Sequence, residues 1–273
     1  MVGCPFTEGR VTINFHFNSM AAKVAVLLAS HKLSEEVIER FSEIRESPKY
    51  DFFILYHTNE KCNNKISNSF IYPFSDSILV NLGYQSLTNS VLPGSNHFSL
   101  LGFFKNYNQY SFYWYIEDDV YYNGEWSVFL DHFELDLKSD LISSYVVNFE
   151  EQPGWSWWGA IHYLRGSIPD EVKVRSFNPI YRISNRALNF LDQKLLRGWV
   201  GHHEVLIPTL LKLGRFEIKD FGGKGAYVPP GCTNKFYRRD DASIVNDTMR
   251  YRPKIHIDEI REQLLYHPVK TYR

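Results

Sequence analysis

The stretch Phe112–Asp119, Phe-Tyr-Trp-Tyr-Ile-Glu-Asp-Asp, is a run of aromatic and β-branched residues that stops at three consecutive carboxylates. Such a run reads as a buried strand. A strand interior does not hold three acids, so they are expected at its C-terminal end. In an open α/β sheet that edge is where ligands bind. Side chains two apart in a strand point the same way, so Glu117 and Asp119 can face one oxygen-loving cation while Asp118 faces elsewhere. A solvated acidic turn would account for the same residues, and the rest of the chain has to decide between the two.

Lys23–Ser30 (KVAVLLAS) is a continuous apolar segment, as expected of a strand covered on both faces. Ser34 is placed to cap a helix whose inner face carries Val37, Ile38, Phe41 and Ile44 and which ends before Pro48. Asp51–Tyr56 reads as the next strand. This β-α-β opening predicts a nucleotide-binding α/β sheet, but there is no Gly-x-Gly-x-x-Gly, so the dinucleotide fingerprint is absent. His31 and Lys32, at the end of the first strand, lie at the carboxyl edge, either as nucleotide contacts or as polar residues of a helix-entry loop. Residues 57–92 are Asn/Ser-rich and carry little signal. After the Pro93-Gly94 turn, Phe98, Leu101, Phe103 and Phe104 predict a helix leading into the acidic strand. Trp126–Phe133 is a further apolar segment, Tyr181–Ile183 a short strand, and Ser184 the cap of a helix stopping at Gly198. A short helix is expected over Asp258–Leu265. Residues 1–22 show no periodicity and are set apart as an extension without an assigned role.

Composition narrows the function classes. A chain of 273 residues with 44% hydrophobic content can bury one large core, consistent with one compact α/β domain over 23–273. A formal net charge of −1 gives no global attraction to nucleic acid or anionic lipid. Cys4, Cys62 and Cys232 are odd in number and widely spaced, which argues against a disulfide framework and fits a reducing compartment. No apolar run reaches the roughly 18 residues of a membrane span. A cytoplasmic protein is expected, with peripheral membrane contact left open.

The second informative stretch is Gly198–Leu211, Gly-Trp-Val-Gly-His-His-Glu-Val-Leu-Ile-Pro-Thr-Leu-Leu. Proline is tolerated in the first turn of a helix, so Pro208 is expected to set the helix start close to Glu204. A carboxylate there is favoured by the helix dipole; it is equally suited to act as a general base, tuned or oriented by His202 and His203. The His-His-Glu run lacks the His-x-x-x-His spacing of zinc hydrolases. Trp155, Trp157 and Trp158, around a Pro-Gly turn, are either core or a platform for a sugar face. Phe221–Gly225 (Phe-Gly-Gly-Lys-Gly) can approach a phosphate but is not a Walker sequence. Lys235, Arg238, Arg239, Arg250, Arg252 and Lys254 add late positive charge, sufficient to answer a diphosphate.

The order of these features, β-α-β, acidic strand end, Gly-x-x-Gly-His-His-Glu helix mouth and terminal His-Pro-x-Lys, resembles the GT-A nucleotide-sugar glycosyltransferases over roughly residues 23–273. The resemblance implies a Rossmann-like, mainly parallel mixed sheet flanked by helices, with a nucleotide-binding half over 23–120 and an acceptor-binding half over 121–273. Glu117-Asp118-Asp119 resembles that fold's Asp-x-Asp motif, which implies Mn²⁺ or Mg²⁺ on Asp119, with Glu117 and Asp118 acting directly or through water and ribose. By the same resemblance His267 completes the metal site and Lys270 faces the diphosphate. His203-Glu204 through Pro208-Thr209 is similar to the acidic helix start of inverting members such as the branching N-acetylglucosaminyltransferases, which implies Glu204 as base. The implied donor is a nucleotide-diphosphate sugar, with a UDP-sugar favoured, and the implied acceptor a hydroxyl of a glycan or glycoconjugate, with Trp157, Trp158 and Trp199 as acceptor contacts. A metal-dependent nucleotidyltransferase or hydrolase, and a noncatalytic carbohydrate-binding protein, stand as alternatives.

Overall fold

An unbroken apolar segment suits a strand covered on both faces, and β1 (Val24–Ser30) lies inside a seven-stranded sheet. The computed structural model describes residues 22–45, 49–58, 69–164 and 166–270. Nearly all of the extension over 1–22 therefore falls outside the described residues. After β1 come α1 (Glu35–Ile44), β2 (Asp51–His57), β3 (Ile71–Phe74), α2 (Ile78–Asn81), α3 (His97–Asn106) and β4 (Phe112–Glu117). Then follow β5 (Tyr121–Tyr122), α4 (Trp126–His132), β6 (Leu141–Asn148), β7 (Ile161–Tyr163), β8 (Gly166–Ser167) and β9 (Val174–Ser184). The chain continues through α5 (Asn185–Leu196), β10 (Trp199–Gly201), α6 (His203–Leu213) and β11 (Ile218–Asp220), and ends in β12 (Ile255–His256), β13 (Leu265–Tyr266) and β14 (Val269–Lys270).

The main sheet has the order β11-β6-β9-β4-β1-β2-β3. Its neighbours are parallel except where β9 runs antiparallel to both β4 and β6. This is the mixed, mainly parallel, Rossmann-like α/β architecture expected from the sequence. Alternation along the strands divides the core. Ala25, Leu27, Tyr113 and Tyr115 pack with α3, α5 and α6, whereas Val26, Leu28, Trp114 and Ile116 pack with α1 and α4. Burying each such large side chain contributes about 1.5–3 kcal/mol.

Two sequence expectations are corrected. Tyr181–Ile183 is the end of an eleven-residue strand, β9, not a short one. Polar and basic residues hid its length: Arg175, Ser176, Asn178 and Arg182 interrupt the apolar pattern yet are all buried. Asp258–Leu265 is not a helix. A single 3₁₀ turn at Ile257–Glu259 leads to extended chain, because Leu265 pairs with Tyr122 across β13 and β5.

Three contacts then carry the last residues over the C-terminal end of β4. Besides the β13–β5 pairing, His267 bridges Met249, and the Val269 amide donates to the Asp119 carbonyl at 2.9 Å.

Candidate active site

The chain leaves β1 toward β2 on one side while β4 lies on the other, so the carboxyl ends of β1 and β4 flank the point where the strand order reverses. A cavity of about 1560 Å³ opens there. Its lining includes His31, Glu117, Asp118, Asp119, Glu204 and His267.

β4 ends at Glu117, and Asp118 and Asp119 belong to the turn that follows, so the acids emerge at the strand's C-terminal end as expected while strand alternation does not extend to the last two. Glu117 continues the Tyr113/Tyr115 face and accepts from Asn96 Nδ2 at 2.9 Å. Asp118 accepts from the Ser30 hydroxyl at the end of β1. Asp119 and Glu117 converge on His267, whose Nε2 lies 3.2 Å and 3.7 Å from their respective oxygens. One ligand atom from each of the three lies within 4.8 Å of the others. His267 Nδ1 is 2.8 Å from the Arg250 carbonyl. Donation there leaves Nε2 as the atom facing the carboxylates. Burial alone would lower the His267 pKa, but Asp119 and Glu117 outweigh it and raise it to about 10. For Asp119, burial works upward, and His267 and Arg40 prevail to hold its carboxyl below the ordinary range. Two carboxylates and an imidazole converging this closely form a donor set that can hold a divalent ion once the Nε2 proton is displaced.

Glu204 faces the same cavity from the first turn of α6. His202 caps that helix, its Nδ1 accepting from the Glu204 amide at 3.3 Å, so the imidazole orients the backbone that carries the acid. Helix α6 starts at His203, next to Glu204 as expected, but Pro208 does not set that start. It sits within α6, beyond the first turn, and deprives the Glu204 carbonyl of its helical donor. Burial pushes the Glu204 carboxyl up to about 7; Arg175 opposes this and the Glu117 charge adds to it. Burial, then the Arg175 charge, lowers His202 to about 4, so its ring is neutral at pH 7.

The other predicted residues divide. Trp157 is 39% exposed and stacks on His202 at 4.6 Å and 23°, giving the cavity a flat aromatic rim. Trp158 belongs to the core: it is buried and its indole N–H is spent on the Gln152 carbonyl at 2.8 Å. Trp199 stacks on Tyr163 at 5.0 Å in the small β10-β7-β8 sheet, outside the cavity lining. Lys32 lies 3.9 Å from Glu36 on the surface and does not line the cavity either. His203 also lines the cavity; its buried ring lies 4.9 Å from that of His202 and 6.5 Å from that of His97, and burial drives its pKa well down. Lys270 pairs through its backbone with His256, while its side chain lies outside the described structure. Of the late basic residues, Arg239, Arg250, Arg252 and Lys254 line the cavity, Arg250 being tied also to the Pro253 and Val245 carbonyls, whereas Arg238 pairs with Glu262 outside the lining.

Sequence reasoning missed Ser30, Asn96, Gln152, Arg175 and Asn178. The one available signal was Arg175, a cation near the start of what proves to be a sheet strand.

No family profile and no curated protein matches this chain. Among solved structures, it is similar to the apo bifunctional glycosyltransferase WbbM, with a TM-score of 0.41 and 11% identity over 73% of this chain and 39% of that one. It is also similar to the 4-diphosphocytidyl-2C-methyl-D-erythritol synthase of Anaerococcus prevotii, with a TM-score of 0.41 and 9% identity over 76% and 92% of the two chains. The chain thus spans about two fifths of the WbbM chain.

Proposed function

We propose that this protein is a metal-assisted glycosyltransferase that moves a sugar from a nucleotide-diphosphate donor to a hydroxyl of a glycan or glycoconjugate, with inversion. The observation that carries the reading is one shared cavity, with Glu117, Asp119 and His267 on one side and the buried carboxyl of Glu204 on the other. Glu117, Asp119 and His267 would hold the cation. When bound, a divalent ion there supplies charge neutralisation for a departing diphosphate. Arg239, Arg252 and Lys254 add positive charge along the wall formed by residues 239–254. Glu204, ionised, accepts the proton of the attacking hydroxyl; its raised pKa makes it a stronger base than an exposed glutamate. The exposed face of Trp157 is suited to carry the acceptor's sugar ring. A strand-end acid cluster alone would serve a nucleotidyltransferase equally well, and Glu204 is the residue that tips the reading toward attack by an acceptor hydroxyl.

A thermal-shift screen of UDP-, GDP-, ADP- and dTDP-sugars with and without Mn²⁺, followed by product analysis, tests this. Expected are Mn²⁺-dependent stabilisation by a nucleotide sugar and release of nucleoside diphosphate. Pyrophosphate formed from a nucleoside triphosphate would instead identify a nucleotidyltransferase. Glycan binding with turnover unaffected by Asp119→Ala and Glu204→Ala would identify a noncatalytic binder.

A further inference from the structure

Arg175, near the start of β9, is 7% exposed yet lines the cavity. Its guanidinium lies 4.5 Å from the centre of the Trp155 ring, and Nη1 donates to Gln152 Oε1 at 3.0 Å. Its Nε is buried without a hydrogen-bond partner. Glu204 acts on Arg175 as a nearby charge, and the contacts described between them include no hydrogen bond. The neighbouring cavity cations differ, since Lys224 and Arg239 both pair with Asp241. A guanidinium offers five donors in a rigid fork. Burying one with few of them answered is unfavourable, and an anion entering from the cavity relieves the deficit.

The position also separates this cation from the acidic cluster. Phe177, two residues along the same strand face, packs against His267 at 5.2 Å between ring centres. Arg175 is thus one strand repeat, about 7 Å, farther along. The half-exposed Trp157 lies on its side of the cavity, stacked on His202.

We propose that Arg175 anchors an anion subsite for the acceptor. The molecule that presents its hydroxyl to Glu204 carries a carboxylate or phosphate a few atoms away, held by the guanidinium fork while the sugar or polyol rests on Trp157. This rests on the transferase reading of the same site and specifies its acceptor class.

Methyl β-glucuronide and glycerol 3-phosphate, each against its neutral counterpart, methyl β-glucoside or glycerol, are the probes for calorimetric titration of the full chain. At least one anionic probe is expected to bind roughly 10- to 100-fold tighter than its neutral partner, the scale of one or two hydrogen bonds to a charged group, and to weaken with salt. Which anion wins separates a carboxylate from a phosphate acceptor. Arg175→Gln should abolish the preference and leave UDP binding in Mn²⁺ unchanged; Arg175→Lys, which keeps charge but not the fork, should lose part of it. Anions binding no better than neutral probes, a preference that survives in folded Arg175→Gln, or loss of UDP binding in that variant would each overturn the inference. Should Arg175→Gln not fold, the wild-type preference and its reduction in Arg175→Lys decide. Anion preference without any nucleotide-sugar turnover would sink the transferase reading alone, and turnover without the preference would sink only this inference.

Discussion

Replacing Glu204 by Gln should stabilise the protein at alkaline pH while removing its turnover. Holding the carboxyl at about 7 against an ordinary 4.5 disfavours its ionised form by roughly 3 kcal/mol. The native carboxyl keeps a proton that the unfolded chain has already released, so this group lowers stability progressively as pH rises from 4.5 to 7, and the cost is constant above. Gln stays neutral throughout. The stability gap between variant and wild type should therefore widen in favour of the variant by about 3 kcal/mol between pH 4.5 and 8, or roughly 5–10 °C in Tm for a chain of this size. Melting both proteins in chelator-containing buffer at pH 5 and pH 8 measures it, and comparing the two cancels every other titrating group. In activity assays of nucleoside diphosphate release, wild-type kcat/KM should rise with pH and level off above 7, and Glu204→Gln should lower kcat by about 10²- to 10⁴-fold. A gap that does not change with pH would show that burial does not strain this carboxyl, and the base assignment would lose its physical footing.

Asp119→Asn should weaken Mn²⁺ binding by on the order of 10- to 100-fold or more, read by titration or paramagnetic relaxation, and should lower Tm of the metal-free protein by removing a partner of buried His267. Trp158→Ala should cost about 3–5 kcal/mol in denaturant unfolding, whereas Trp157→Ala should barely alter stability and instead raise the acceptor KM. The buried Thr209 hydroxyl accepts from the Val174 amide at 3.0 Å and donates to its carbonyl at 2.9 Å. Thr209→Val should cost about 1–3 kcal/mol by stranding both groups; a neutral result in chemical denaturation would show that the clamp between α6 and β9 contributes nothing.

Much of the fold was legible because it depends on local signals. The apolar run of β1, the inner face of α1 and the aromatic strand β4 are each readable from neighbouring residues, and together they determine a parallel α/β opening. The apolar run also sufficed to put the acids at the C-terminal end of β4. Elsewhere the local signal misled. The length of β9 was hidden because a central strand can carry Asn178 and Arg182 when partners from distant segments answer them, such as the Phe133 and Ser139 carbonyls for Arg182, and Arg175 where the strand borders a cavity. Trp157 and Trp158 are adjacent and chemically identical in the sequence, and only the packing of Phe149 and Trp155 against Trp158 makes one core and the other rim.

From its sequence alone, then, the chain determines the strands β1, β2 and β4 and the end of β4 at which the carboxylates emerge, because an apolar run and the point where it stops are properties of a few consecutive residues. The tertiary structure decided what those carboxylates meet. His267 reaches them through pairing by β13, Met249 and Val269, and Arg175 comes to lie near Glu204 through the pairing of β9 and the packing of α6. Such contacts between residues far apart along the chain have no local signature, since they depend on which surfaces remain to be covered once the sheet has formed.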